Sequence, residues 1–196
     1  APITITGSNI IVTTLNKGTS IFLNFTTNAP NFNLIGNNNI ISDLKFTGDQ
    51  VFRSNGHTVY LRGNDNTVTR CTVVGSSCFA VYVGASGTSI NTKIHQNHIY
   101  NSAADGIHAS VGVTRCDIYD NYIHDVADDG IGIGYEGGAS EINVFSNNIT
   151  NTGARGISIM GASSLVNVSS NNITNTWLGG IYVECYTGSV SLVNIT

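Results

Sequence analysis

The sequence predicts an all-β solenoid, a single domain of short parallel strands wound coil upon coil, and three observations predict it. A seven-residue phrase returns four times: Lys93-Ile94-His95-Gln96-Asn97-His98-Ile99, Asp117-Ile118-Tyr119-Asp120-Asn121-Tyr122-Ile123, Asn143-Val144-Phe145-Ser146-Asn147-Asn148-Ile149 and Asn167-Val168-Ser169-Ser170-Asn171-Asn172-Ile173. Each copy is followed by a second phrase, Gly106-Ile107-His108-Ala109, Gly130-Ile131-Gly132-Ile133, Gly156-Ile157-Ser158-Ile159 and Gly180-Ile181-Tyr182-Val183, so Asn and Gly both recur at offsets of 24, 26 and 24 residues. Two markers in register define a structural repeat. Within the phrases apolar residues alternate, the two-residue period of a strand with one buried face, and no stretch carries helical spacing.

The elements follow in order. Residues 1–46 are the less regular part: Ile3-Thr4-Ile5, Ile10-Ile11-Val12, Ile21-Phe22-Leu23 and Phe32-Asn33-Leu34 read as strands, with turns at Gly7, Lys17-Gly18, Asn28-Ala29-Pro30 and Gly36-Asn37-Asn38. Asn39 to Phe46 then aligns with Asn66 to Val73 at an offset of 27, Val73 with Ile99 at 26, and Ala80-Val81 with Gly106-Ile107 at 26. Regular repeats of 24–27 residues occupy 66–183. The domain spans 1–196 without an internal boundary, in about seven or eight coils of roughly 4.8 Å each. Repeats this short bury their apolar faces only by stacking. The predicted interior holds Ile94, Ile99, Ile107, Ile118, Ile123, Ile131, Val144, Ile149, Ile157, Val168, Ile173 and Ile181. Asn97, Asn121, Asn147 and Asn171 are expected to form a ladder at a strand bend, because Asn tolerates the left-handed backbone region and its amide can bond to the Asn one coil away.

This pattern resembles the right-handed parallel β-helix of the pectate-lyase-like superfamily over most of the chain. A leucine-rich repeat is the alternative, since Ile142-x-Val144-x-x-Asn147-x-Ile149 fits the core of its consensus. The chain has only eight Leu, however, and Gly-Ile-x-Ile spells a strand where that fold needs a helical turn.

Composition narrows the function classes. A net charge of −4 argues against nucleic acid or an anionic membrane as partner, and no run of 18 apolar residues exists to span a bilayer. The chain begins at Ala1 without Met, as a processed secreted protein would, and is expected to be extracellular or at the cell surface. Sequons begin at Asn24, Asn148, Asn167, Asn172 and Asn194, candidate glycosylation positions. Of the four cysteines, Cys71 and Cys78 are near enough in sequence to bridge, Cys116 and Cys185 have no evident partner, and the expected role is that of small buried apolar residues.

Ionisable residues cluster. Eight of the twelve acidic residues lie between Asp105 and Glu141, and four of the five His between His95 and His124. The repeat arithmetic places Asp105, Asp129, Arg155 and Gly179 in one outward column at the turn before the Gly-Ile strand, with Asp128 beside it and His108 on the strand that follows. A second group stacks His95 on Tyr119 and Phe145, His98 on Tyr122, and Tyr100 on His124, a surface suited to the C–H faces of sugar rings. The first column is similar to the motifs that polygalacturonase-type glycosidases carry on successive coils: Ala104-Asp105-Gly106-Ile107, Asp128-Asp129-Gly130-Ile131 and Ala154-Arg155-Gly156-Ile157 stand where that family has Asn-Thr-Asp, Asp-Asp and Gly-His-Gly. The resemblance implies that Asp105, Asp128 and Asp129 are the catalytic carboxylates, with Arg155 in the place of the His. Read without it, the same Asp residues cap turns. Paired carboxylates also suit calcium, although no ligand loop is spelled out and no cofactor is otherwise expected.

Two functions therefore stand as expectations: an extracellular structural or adhesive rod, carbohydrate-associated or self-associating through its open coil ends, and a polysaccharide hydrolase or lyase. A Thr-x-Thr pair, Thr150-Asn151-Thr152 and Thr174-Asn175-Thr176, matches ice-binding surfaces but is interrupted by Tyr100 and His124 at the corresponding places.

Overall fold

Strands of two to seven residues that bury alternate side chains cannot be stable singly. In the computed structural model, which describes residues 3–14, 24–25, 28–84, 88–135, 137–185 and 188–196, they are stacked into three parallel sheets. Each coil contributes one strand to each sheet in turn. Sheet A runs through Ile3–Thr6, Phe32–Ile35, Val59–Arg62, Val81–Val83, Ile107–Ala109, Ile131–Ile133, Arg155–Ile159 and Gly179–Val183. Sheet B runs from Ile11–Thr13 to Ser191–Ile195 and includes Ser89–His95 and Val113–Tyr119. Sheet C runs from Asn24–Phe25 to Asn172–Thr176 and includes His98–Tyr100 and Tyr122–Val126. No helix occurs among the described residues, so none is long and apolar enough to cross a membrane.

The register is the one the repeat arithmetic gives. Ile94 pairs with Ile118, Ile99 with Ile123 and Ile107 with Ile131, and these columns fill the interior with fully buried side chains. Ile173 and Ile181 depart from the expected interior. Ile173 is half-buried and Ile181 is 36% exposed, because their strands are the last of sheets C and A and no strand among the described residues pairs with their far side. The strand expected at Ile21-Phe22-Leu23 and the turn at Lys17-Gly18 lie outside the described residues.

The Asn ladder is present, with Asn97, Asn121 and Asn147 buried and Asn171 half-buried. Each side-chain Nδ2 donates to the Oδ1 of the next Asn, at 3.0 Å from Asn97 to Asn121, 2.9 Å from Asn121 to Asn147 and 2.9 Å from Asn147 to Asn171. Each Oδ1 also accepts the backbone N–H of the preceding coil, so a corner that would orphan amides is satisfied along its length. The left-handed residue is the one before each Asn: Gln96, Asp120, Ser146 and Ser170 have φ of 57°, 53°, 55° and 54°. The bend and the ladder are thus adjacent positions, because the Asn amide is used between coils rather than to ease its own backbone.

All four cysteines are free thiols. Cys71 and Cys116 are buried in the core and Cys78 beneath the sheet A surface, whereas Cys185 is exposed on the outermost coil and departs from the buried role.

Candidate functional site

Outward side chains of sheet A form one column. Tyr60 pairs with Tyr82, Tyr82 with His108, His108 with Gly132, Gly132 with Ser158 and Ser158 with Tyr182. The turn entering this sheet supplies a second column, Asp105, Asp129 and Arg155. Here the structure brings together the acidic candidates. One oxygen from each of Asp105, Asp128 and Asp129 lies within 4.8 Å of the others.

The three carboxylates are not equivalent. Asp105 is buried and both its oxygens are committed: Oδ2 lies 2.6 Å from His108 Nδ1, and Oδ1 accepts the backbone N–H of Asp129 at 3.1 Å. Asp129 Oδ1 in turn accepts the N–H of Arg155 at 2.8 Å, so the turn-capping reading holds for one oxygen of each. Burial and the neighbouring Asp105 raise the Asp129 carboxyl above its ordinary value, opposed by hydrogen bonds from Ser158 and the Arg155 backbone. Asp128 is exposed at its edge, yet desolvation of its carboxyl and the charges of Asp105 and Asp129 push its pKa up to about 6. The Arg155 guanidinium stands 3.8 Å from Asp129 and 4.1 Å over the Tyr182 ring.

A cavity of about 270 Å³ opens over these groups, walled by Phe52, Phe79, Tyr135 and Met160. A second, of about 490 Å³, adjoins it through Ser54, Phe79, His108 and Tyr135 and continues past His57, Tyr60, Arg62 and Tyr82. Together they make a groove along the column. Phe79 stacks on His108 at 4.2 Å and on His57 at 5.1 Å, and Tyr60 stacks on Tyr82 at 5.1 Å. His57 is buried with no hydrogen-bond partner at Nδ1, and burial, then the charge of His108, lowers its pKa to about 4. Gly132 keeps the column open at its centre. A Cβ there would fall 2.5 Å from Asp105 Oδ2 and 2.9 Å from His108 Nδ1.

The other expected surface forms elsewhere. His95, Tyr119 and Phe145 stack on sheet B at 4.6 and 4.8 Å, nearly parallel. His98 stacks on Tyr122 and Tyr100 on His124 on sheet C, at 5.1 and 5.0 Å. None of these seven residues lines the sheet A groove. Asn148, Asn167, Asn172 and Asn194 are exposed, while the side chain of Asn24 lies outside the described residues. The Nδ2 atoms of Asn172 and Asn167 donate at 3.0 Å to Asn148 and Asn143.

Sequence reasoning missed His57, Tyr60, Phe79, Tyr82 and Tyr135. A usable signal existed for the two tyrosines: Val59-Tyr60-Leu61 and Val81-Tyr82-Val83 have the apolar-x-apolar form of Ile107-His108-Ala109.

A comparison with curated proteins gives no match. A family model described as a right-handed beta helix region matches residues 31–196. With three parallel sheets stacked in the register that the repeats prescribe, the chain belongs to the right-handed β-helix family.

Proposed function

We propose that this chain is a polysaccharide-cleaving enzyme that binds an extended glycan along sheet A and hydrolyses it by acid and base catalysis. The observation that carries the reading is Asp128: a carboxyl with a pKa of about 6, crowded by two others where it lines an aromatic groove. A group of that pKa retains a proton in mildly acidic solution and can give it to a glycosidic oxygen. Asp129 keeps an oxygen within reach of the same space and is the second carboxylate of the catalytic pair. Asp105 has no oxygen to spare and positions His108. Phe52 and Tyr135, exposed where they line the groove, offer apolar ring faces for sugars, whereas Tyr60 and Tyr82 are buried and stacked on each other. From Tyr60 to Ser158 the column spans four coil steps, about 19 Å, which is several sugar rings long.

Release of reducing ends from a panel of polysaccharides, with Asp129→Asn run beside the wild type, tests the proposal. Activity lost in the variant supports it, and a product lacking the absorbance of an unsaturated sugar identifies hydrolysis rather than elimination. A second reading, a rigid extracellular rod with structural or adhesive use, is favoured by the exposed side-chain ladders Asn143 to Asn167, Asn148 to Asn172 and Thr150 to Thr174. It predicts no release from any polysaccharide and no effect of Asp129→Asn beyond stability.

A further inference from the structure

On sheet C, away from the groove, two imidazoles meet head on. His98 Nε2 lies 2.8 Å from His124 Nε2. The strands place His98 opposite Tyr122 and Tyr100 opposite His124, so the two His sit on the diagonal of a four-ring square. Each ring is held by a parallel neighbour: His98 lies on Tyr122 with 13° between planes, and His124 on Tyr100 with 2°.

The far side of His124 is fixed as well. Its Nδ1 lies 2.6 Å from Asp125 Oδ2, and Asp125 Oδ1 accepts the Asn151 amide at 3.0 Å. Asn151 Oδ1 accepts from Asn175 in the same way. The Asp125 column makes the carboxylate conspicuous. Asn101, Asp125, Asn151 and Asn175 all adopt the left-handed backbone at the end of a sheet C strand, with φ of 53° to 56°, and three of the four are Asn. The backbone requirement is met by Asn, and the acid occurs only beside the imidazole. Hydrogen bonding of Nδ1–H to a carboxylate leaves a lone pair at Nε2, the arrangement that orients and strengthens a histidine as a metal ligand.

We propose that His98 Nε2 and His124 Nε2 form a site for a divalent transition metal ion of the zinc and copper class, with Asp125 orienting His124 from behind. Imidazole nitrogen suits these ions, whereas calcium and magnesium prefer oxygen. Zinc to nitrogen bonds of about 2.0–2.1 Å at a tetrahedral angle put two nitrogens about 3.3 Å apart. The present separation therefore needs to widen by only about half an ångström, within reach of ring rotation on a backbone that stays put. His124 retains 17% of its side-chain exposure and Tyr122 is 41% exposed, so the ion has a way in and water completes its shell.

Titration of the full chain with zinc chloride or copper sulfate in a non-coordinating buffer, followed by calorimetry and backbone NMR, tests the site. The expected result is saturable uptake of an ion that shifts or broadens His98, Tyr100, Tyr122 and His124. His124→Ala and His98→Phe are each expected to weaken it at least tenfold; the latter keeps a ring on Tyr122, and thermal unfolding of the metal-free variants checks that both fold. Asp125→Asn is expected to weaken it about tenfold. His95→Ala, on sheet B, should leave it unchanged, as should Asp128→Asn in the sheet A groove. No saturable uptake at millimolar metal, or uptake that survives both His98→Phe and His124→Ala, would overturn the proposal.

Discussion

Asp105 and His108 are joined at 2.6 Å between Oδ2 and Nδ1 with both side chains buried, and the residue opposite His108 on the next coil is Gly132. The two facts belong together. A side chain at 132 would occupy the place of the Asp105 carboxylate, so the absence of one is what lets the pair exist.

Gly132→Ala is accordingly expected to displace the pair while leaving the coil intact, because the crowded atoms are side-chain ends rather than backbone. Polysaccharide cleavage should fall at least tenfold and the far-ultraviolet circular dichroism should stay that of a β protein. Cleavage at the wild-type rate would show that the Asp105–His108 geometry is not needed.

The Asp128 pKa has a consequence for stability. Its folded value of about 6 lies above the ordinary 3.8, so the folded chain holds the proton more tightly than the unfolded one. This group costs nothing at a pH below both values, and its penalty grows as pH rises from about 4 to 6. Asp128→Asn should therefore raise stability at pH 7, by about 1 kcal/mol once solvent screening at this exposed residue is allowed for, and leave it unchanged at pH 3.5. Denaturant unfolding at the two pH values measures the difference.

His57 acts in the opposite sense. Its folded pKa of about 4 lies below the ordinary 6.5, so the unfolded chain takes up the proton first and stability is lost as pH falls from about 6.5 to 4. His57→Phe keeps the stack on Phe79 and removes the titration. Its unfolding midpoint should change less between pH 7 and pH 4 than that of the wild type.

Ladder positions differ in cost by burial. Asn121→Ala leaves the Asn97 side chain and backbone N–H without their acceptor inside the corner, and should cost about 2–4 kcal/mol. Asn171→Ala, on a half-buried rung near the outer coil, should cost less. Equal losses would mean that the inner rungs are not special. Ile149→Asp, which strands a charge in the core, should exceed both.

Much of this was legible in the sequence because the repeat period is nearly constant from residue 88 onward: the Asn and Gly offsets give the register of Ile94 on Ile118 and the Asp105–Asp129–Arg155 column directly. Before that the spacing drifts. Tyr60 and Tyr82 pair at an offset of 22 where the neighbouring coils use 26 or 27, so Tyr60 did not fall into the column by arithmetic, although the offset of 26 that sets Val81 on Ile107 also sets Tyr82 on His108. His57 and Phe79 enter from connecting segments, which carry no period at all. The left-handed corner was misplaced by one residue because Gln96, Asp120, Ser146 and Ser170 share no residue type, while the Asn beside them does.

The claim that the groove is an acid and base site is tested most directly by the initial rate of reducing-end release by the wild type and by Asp128→Asn, on the polysaccharide that the panel selects. Loss of a general acid is worth about 10²- to 10⁴-fold, so the variant should fall by that factor while oligosaccharide binding stays within a few-fold. Release by Asp128→Asn at the wild-type rate, or no release by the wild type from any polysaccharide, would contradict the account.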